Sequence, residues 1–180
     1  MNIYITRHGQ TDLNKAHLMQ GRTDAPLNER GRQQAAEAAE QLKGIRFDAV
    51  YASPLQRAVD TAHIMTGVPK DQIITDERII EVDFGRYEKR KYTALGLRMW
   101  SFWLLPTIFS EPDTVESIAH MKKRAHSFLN DLSKNDYQNV LISCHGGIMR
   151  VLCGILGHRK NELMWNPKPK NCEIRKFTLL

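Results

Sequence analysis

Short apolar runs alternate with amphipathic stretches along this chain, and the alternation predicts strands and helices in turn. Residues 3–6 are a β-rich run that breaks at Arg7, which predicts a buried strand. Residues 29–43 are rich in alanine, glutamate and glutamine and follow Asn28, which can cap them, so they predict a helix. Residues 48–52 predict a second strand. After it, Ser53 can cap and Pro54 can open a helix that runs through Arg57 to about Met65. Ile73 and Ile74 predict a third strand, ahead of a charged segment at 81–91 that contains Gly85. From 114 to 132, Val115, Ile118, Met121, Ala125, Phe128, Leu129 and Leu132 recur at helical spacing. Residues 140–143 predict a strand, 148–156 a helix and 172–178 a last strand. With neither an internal repeat nor a low-complexity linker, this order predicts one α/β domain over residues 1–180.

Two polar segments interrupt the pattern at equivalent places. Thr6-Arg7-His8-Gly9 follows the first apolar run, and Ser143-Cys144-His145-Gly146-Gly147 follows a late one. Ligands bind at the carboxyl ends of strands in open α/β sheets, so His8 and His145 are expected to face one pocket.

Composition narrows the classes further. The 180 residues carry 26 Lys and Arg against 20 Asp and Glu, a formal charge of +6, but the basic residues are scattered. Lys89-Arg90-Lys91 and Lys122-Lys123-Arg124 read as solvated faces, so no nucleic-acid partner is expected. Small anionic substrates fit this charge. Cys144, Cys153 and Cys172 are an odd set without metal-ligand spacing, which points to a reducing, cytoplasmic setting. The opening five residues are too short for a signal segment, and the apolar stretch at 99–109 is too short to cross a bilayer, so no membrane partner is expected. Met99 to Leu105 packs onto the core, forms an apolar wall for an organic group, or makes a dimer contact; the oligomeric state is left open.

A phosphomonoester is a dianion near neutral pH. Its hydrolysis calls for fixed positive donors and a nucleophile that is not itself anionic, and a neutral imidazole meets that need. His8 and His145 are the imidazoles available, with Arg7, Arg57 and, if protonated, His145 as donors. Glu81, flanked by Ile79, Ile80 and Val82, is a candidate general acid whose partial burial would raise its pKa, and Asp83 competes for the role.

The residues also carry a resemblance. Arg7-His8-Gly9-Gln10-Thr11 with Asn14, Gln20-Gly21, Asp24-Ala25-Pro26-Leu27, Gly31 and Gln34-Ala35 come first. Ser53-Pro54-Leu55-Gln56-Arg57-Ala58 with Thr61-Ala62, Glu81 with Phe84-Gly85, Glu116-Ser117 with Arg124, and His145-Gly146-Gly147 follow in order. The series resembles the histidine phosphatase superfamily, the phosphoglycerate-mutase-like proteins, over nearly the whole chain. The resemblance implies a three-layer α/β sandwich with a mainly parallel central sheet between helices, and a short helical lid at about 88–115. It implies that His8 becomes a phosphohistidine, that Arg7, Arg57 and His145 hold the phosphoryl oxygens, and that Glu81 protonates the leaving group and later activates water. Asn14, Gln20, Gly21 and Gly146 complete the implied substrate pocket. No metal and no organic cofactor is expected, and the partner is a small phosphorylated metabolite.

The short lid and Gly146-Gly147, where mutases usually carry Gly-Asn, favour a phosphatase over a phosphoglycerate mutase. The usual Trp-Glu-Gly is Tyr87-Glu88-Lys89 here. Two other readings stand beside it. Cys144-His145-Gly146-Gly147-Ile148-Met149-Arg150 also satisfies the Cys-x-x-Gly-x-x-Arg loop of cysteine-dependent phosphatases, with Pro112-Asp113 upstream. A non-catalytic protein that binds phosphorylated ligands or polyanions is the other.

Overall fold

The computed structural model describes residues 1–106 and 108–179; Thr107, inside the stretch predicted as a lid, and Leu180 lie outside the described residues. In chain order the main elements are β1 (Asn2–Arg7), α1 (Asp12–Lys15), α2 (Glu29–Ala39), β2 (Ala49–Ala52), α3 (Gln56–Thr66), β3 (Ile74–Thr75), α4 (Gly96–Leu104), α5 (Ile118–Leu132), β4 (Asn139–Cys144), α6 (Gly146–Leu156) and β5 (Ile174–Thr178). The strands form one sheet in the order β3-β2-β4-β1-β5, parallel except for β5, which runs antiparallel to β1.

The central strands are apolar at nearly every position because both of their faces are covered. Successive side chains point to opposite faces, and the two cores divide accordingly. Ile3, Ile5, Val140 and Ile142 pack with Phe128, Leu129, Val151 and Leu152 of α5 and α6. Tyr4, Val50 and Leu141 pack with Ala35, Ala38, Ala62 and Met65 of α2 and α3. The result is a three-layer α/β sandwich. Helix α2 follows β1 onto one face, whereas α6 follows β4 onto the other. That divergence opens a crevice at the carboxyl ends of these two neighbouring strands.

Strands β3 and β5 start at Ile74 and Ile174 rather than at 73 and 172, and four helix boundaries also differ from expectation. Helix α3 starts at Gln56, with Leu55 as its cap residue and no side-chain cap; the Ser53 hydroxyl accepts from His145 Nε2–H at 2.7 Å and from Leu55 N–H at 3.4 Å. Helix α5 starts at Ile118 rather than 114: Thr114 has φ +72°, outside the helical region, and Ser117 caps through His120 N–H. Helix α6 begins at Gly146, two residues early, and α2 ends at Ala39 in a 3₁₀ turn.

Candidate active site

Strand register builds the site. Arg7 pairs with Cys144 across β1 and β4, and His8 N–H donates to Cys144 O at 3.0 Å, so His8 and His145 leave the sheet side by side. Their ring centroids are 5.1 Å apart, and both residues are buried. The loop after His8 lies against α2 so tightly that a Cβ on Gly9 would come within 2.5 Å of Gly31 O. Only glycine fits at such an approach.

The hydrogen bonds set both tautomers. His8 Nδ1–H donates to Gly9 O at 2.7 Å, leaving Nε2 with its lone pair. Arg57 Nε–H donates to His145 Nδ1 at 3.2 Å, so the His145 proton is on Nε2, which donates to Ser53 Oγ at 2.7 Å. Burial, then Arg57 and Arg7, holds His8 well below the ordinary value of 6.5. His145 is lowered well below it too, by burial and then Arg57, His8 and Arg7. This corrects the expectation of a cationic His145: two guanidinium groups and a second imidazole leave no room for another charge.

Below pH 6.5 the unfolded chain gains protons at these histidines before the folded chain does. Their contribution to stability is complete above that pH and is lost as pH falls toward the depressed folded values, by about 1.4 kcal/mol per pH unit for each histidine. Melting temperature is expected to fall between pH 7 and pH 5, less steeply in His8→Ala than in wild type. Thermal scans across that range check it, and parallel slopes would contradict it.

Arg57 is fully buried. Besides His145, its NH1 and NH2 groups donate to Thr23 O at 2.9 Å and Gly21 O at 2.7 Å, with Asp24 Oδ1 3.7 Å away. Burial pulls its pKa down to about 10, which leaves it cationic at neutral pH. The sequence-predicted residues therefore fall into two groups. Arg7, His8, Asn14, Gln20, Glu81 and Gly146 line one cavity of about 120 Å³. Arg57, His145 and Gly21 are outside that lining, joined to it through His8 and the loop that carries Gln20.

Glu81 is buried. Its Oε1 accepts from Val82 N at 2.9 Å, Gly147 N at 3.0 Å and Ile148 N at 3.2 Å, while Oε2 accepts only from Gly147 N at 3.1 Å. A Cβ on Gly147 would come within 2.6 Å of Glu81 Oε1, so the second glycine of the pair makes room for the carboxylate. Arg124 fixes the segment before Glu81 by donating to Arg78 O and Ile80 O, and it also holds Glu116. Asp83 is half-exposed, accepts from Gly85 N and pairs with Arg22, and unlike Glu81 it does not line the cavity.

Gln20 Oε1 accepts from Thr11 Oγ1 and Asn14 Nδ2, whereas its Nε2 is buried without an acceptor. Arg7 Nε and Arg150 Nε share that condition. Three side chains of the same cavity thus hold buried donors without an acceptor, an arrangement that calls for an anion.

The profile of the histidine phosphatase superfamily (branch 1) matches residues 3–179. The chain belongs to this superfamily. It is 29% identical over 170 residues to the adenosylcobalamin/alpha-ribazole phosphatase of Escherichia coli K12, covering 92% of this chain and 84% of that protein. A 2,3-bisphosphoglycerate-dependent phosphoglycerate mutase of Thermoplasma acidophilum is 39% identical over 88 residues, covering 48% of this chain and 44% of its own. Among solved structures, a mutant phosphoserine phosphatase of Entamoeba histolytica in complex with phosphoserine superposes with a TM-score of 0.84 at 28% identity, covering 98% of this chain and 90% of that one.

This histidine phosphatase is a phosphoric monoester hydrolase. The competing cysteine reading fails on geometry. Cys144 ends β4 inside the core, and burial pushes its thiol well above its ordinary value, so no thiolate is presented to the cavity. Cys144→Ala is expected to keep turnover within a few fold of wild type, which a steady-state assay with an aryl phosphate checks.

Three residues of the site escaped the motifs, and Glu88 entered only as the middle of Tyr87-Glu88-Lys89. Trp165 and Lys168 line the cavity, Asn171 Nδ2 donates to His8 O at 2.8 Å, and Glu88 accepts from Arg22 N and Thr23 N, which braces the loop behind Arg57. Arg150 lines the cavity as well. Of the aromatic stretch, Phe102 and Trp103 form cavity wall, whereas Trp100 packs edge-on against Trp103 and is partly exposed.

Proposed function

We propose that this phosphatase hydrolyses a small phosphomonoester through a phosphohistidine on His8. The observation that carries the reading is the neutral, buried His8 with a free Nε2 in a cavity lined by acceptor-less donors. In the first step Nε2 attacks phosphorus in line and the ester P–O bond breaks, while protonated Glu81 gives its proton to the leaving oxygen. In the second, Glu81 takes a proton from water, whose oxygen attacks phosphorus as the P–N bond breaks and His8 is restored.

Arg7, Gln20 and the backbone at Gly146 hold the phosphoryl oxygens, with Asn14 orienting Gln20. Arg57 and His145 lie outside the cavity lining and act through His8: the single N–H of His145 is committed to Ser53 Oγ, and three of the five Arg57 N–H groups are committed to His145 Nδ1, Thr23 O and Gly21 O. Residues 88–115 serve as the lid, contributing Tyr92, Phe102 and Trp103 to the wall.

A mutase outcome needs water kept from the phosphoenzyme until a second acceptor arrives. A hydrolase outcome needs Glu81 free to activate water, and Glu81 Oε2 carries a single hydrogen bond. Rapid-quench trapping with a labelled aryl phosphate is expected to give an acid-labile, alkali-stable phosphoenzyme. Glu81→Gln is expected to slow its breakdown by about 10²–10⁴-fold. Absence of the species in wild type during turnover would remove the mechanism.

A further inference from the structure

Six of the seven large apolar side chains that stand exposed among the described residues fall in one short segment: Leu97, Trp100, Leu104, Leu105, Ile108 and Phe109. Leu97 is 83% exposed, Leu104 68% and Ile108 70%. None of the six lines the catalytic cavity. Apolar residues exposed singly need no explanation, whereas a contiguous patch marks a surface that something covers.

Local structure makes the patch continuous. Helix α4 has only Arg98 and Ser101 as polar residues. On its inner face Met99, Phe102 and Trp103 pack on the core, and the latter two wall the cavity. Leu97, Trp100 and Leu104, spaced three and four apart, form a second apolar stripe on the outer face. After the helix, Ile108 N–H and Phe109 N–H both donate to Leu105 O at 3.0 Å, which turns the chain, and Phe109 lines one groove with Leu97, Arg98 and Ser101. A helix that is apolar on all sides belongs in an enclosed position, and α4 is enclosed on one side only.

Area and charge decide what covers the other side. At these exposures the six side chains present on the order of 600 Å² of surface, the upper end of what a monomer leaves open. Two such patches in contact bury on the order of 1,200 Å² in total, where specific interfaces between proteins begin. The rim carries both signs: Arg98 pairs with Asp113 at 3.2 Å, and both side chains are more than half exposed. Such a rim can complement itself across a two-fold axis, and it offers an anionic bilayer no net attraction even though the whole chain carries +6. The stripe is self-complementary too. Leu97 and Leu104 are seven residues apart with Trp100 between them, so an antiparallel pair of α4 helices sets Leu97 of each copy against Leu104 of the other and brings Trp100 near the axis.

We infer that the outer face of α4 is the interface of a homodimer in which the two α4 helices pair antiparallel about a two-fold axis. The Trp100 ring packs edge-on against Trp103 at 6.0 Å between centroids, so the interface adjoins the wall of the catalytic cavity.

The test is sedimentation equilibrium of the full chain across a wide concentration range. The mass is expected to rise from the 20.7 kDa of one chain to twice that value. An interface of this size should give a dissociation constant on the order of 10 µM. Leu97→Lys and Leu104→Glu, at exposed positions with little bearing on the monomer fold, are each expected to weaken the dimer by about tenfold or more. An equimolar mixture of the two variants is expected to regain dimer, because one opposite-charge pair and one leucine pair then form across the axis, and that rescue also shows that both variants are folded. Wild type that stays monomeric at about 500 µM, far above the expected constant, overturns the interface. Variants that dimerise as wild type does overturn it as well. A monomer that instead co-sediments with vesicles of phosphatidylcholine and phosphatidylglycerol assigns the face to a bilayer and overturns the dimer.

Discussion

His8→Ala is expected to lower turnover of any phosphomonoester by about 10⁴-fold or more, because it deletes the group proposed to form the covalent intermediate. Nε2 is free because Nδ1–H is spent on Gly9 O, and burial, then Arg57 and Arg7, keeps the ring neutral, so its lone pair is available at neutral pH. A water molecule in the vacated space would still meet Arg7 and Gln20, which leaves residual hydrolysis rather than none. The backbone of the loop does not depend on the imidazole. His8 N–H still donates to Cys144 O, Gly9 N–H to Thr61 Oγ1 and Asn171 Nδ2 to His8 O, so unfolding midpoints should shift by no more than a typical single substitution allows. The decisive measurement pairs steady-state turnover with phosphoenzyme trapping. A variant that kept more than a tenth of wild-type turnover would remove His8 as nucleophile.

How much of this was legible follows from what each signal encodes. β1 and β4 were readable because strands covered on both faces must be apolar throughout, and 3–6 and 140–143 have no other reading at that length. That His8 and His145 meet was inferred from the ends of two such runs, but the Arg7–Cys144 register that aligns them is a tertiary fact. Helix starts were read from local capping rules, and these misplaced α3 by two residues: the Ser53 hydroxyl accepts from Leu55 N–H ahead of the helix and from His145, a partner that only the tertiary fold supplies. Arg57 was legible as a cation, yet its use was not, since the carbonyls it binds belong to a loop some 35 residues earlier in the chain. Trp165, Lys168 and Asn171 lie in an aperiodic connection between α6 and β5, where no spacing marks which side chains turn inward. Arg150 carried a signal as the last residue of the Cys-x-x-Gly-x-x-Arg pattern, but that pattern tied it to a thiolate that the buried strand end forbids.

Arg57→Ala is expected to be the most damaging change after His8, lowering turnover by about 10³-fold and stability by roughly 3–5 kcal/mol. The stability loss comes from what stays behind. Gly21 O, Thr23 O and His145 Nδ1 would all lose their donor in a region from which water is excluded, since Arg57 itself is fully buried. The catalytic loss has two sources that the same side chain joins. Its charge lies beside His8 and helps keep that ring neutral, so its removal raises the proton affinity of the nucleophile. Its bonds to Gly21 and Thr23 also hold the loop on which Gln20 faces the cavity, so the phosphoryl site loosens at the same time. Arg57→Lys separates the two. An ammonium keeps the charge but cannot span Nδ1 of one residue and two carbonyls of another segment with a planar fork. It should therefore restore the acid limb of the pH–rate profile toward that of wild type while recovering little of the stability or of kcat. Full recovery of kcat by lysine would mean that charge alone is at work and that the loop needs no clamp; loss of stability without loss of turnover in Arg57→Ala would make this arginine a structural residue that merely neighbours the chemistry.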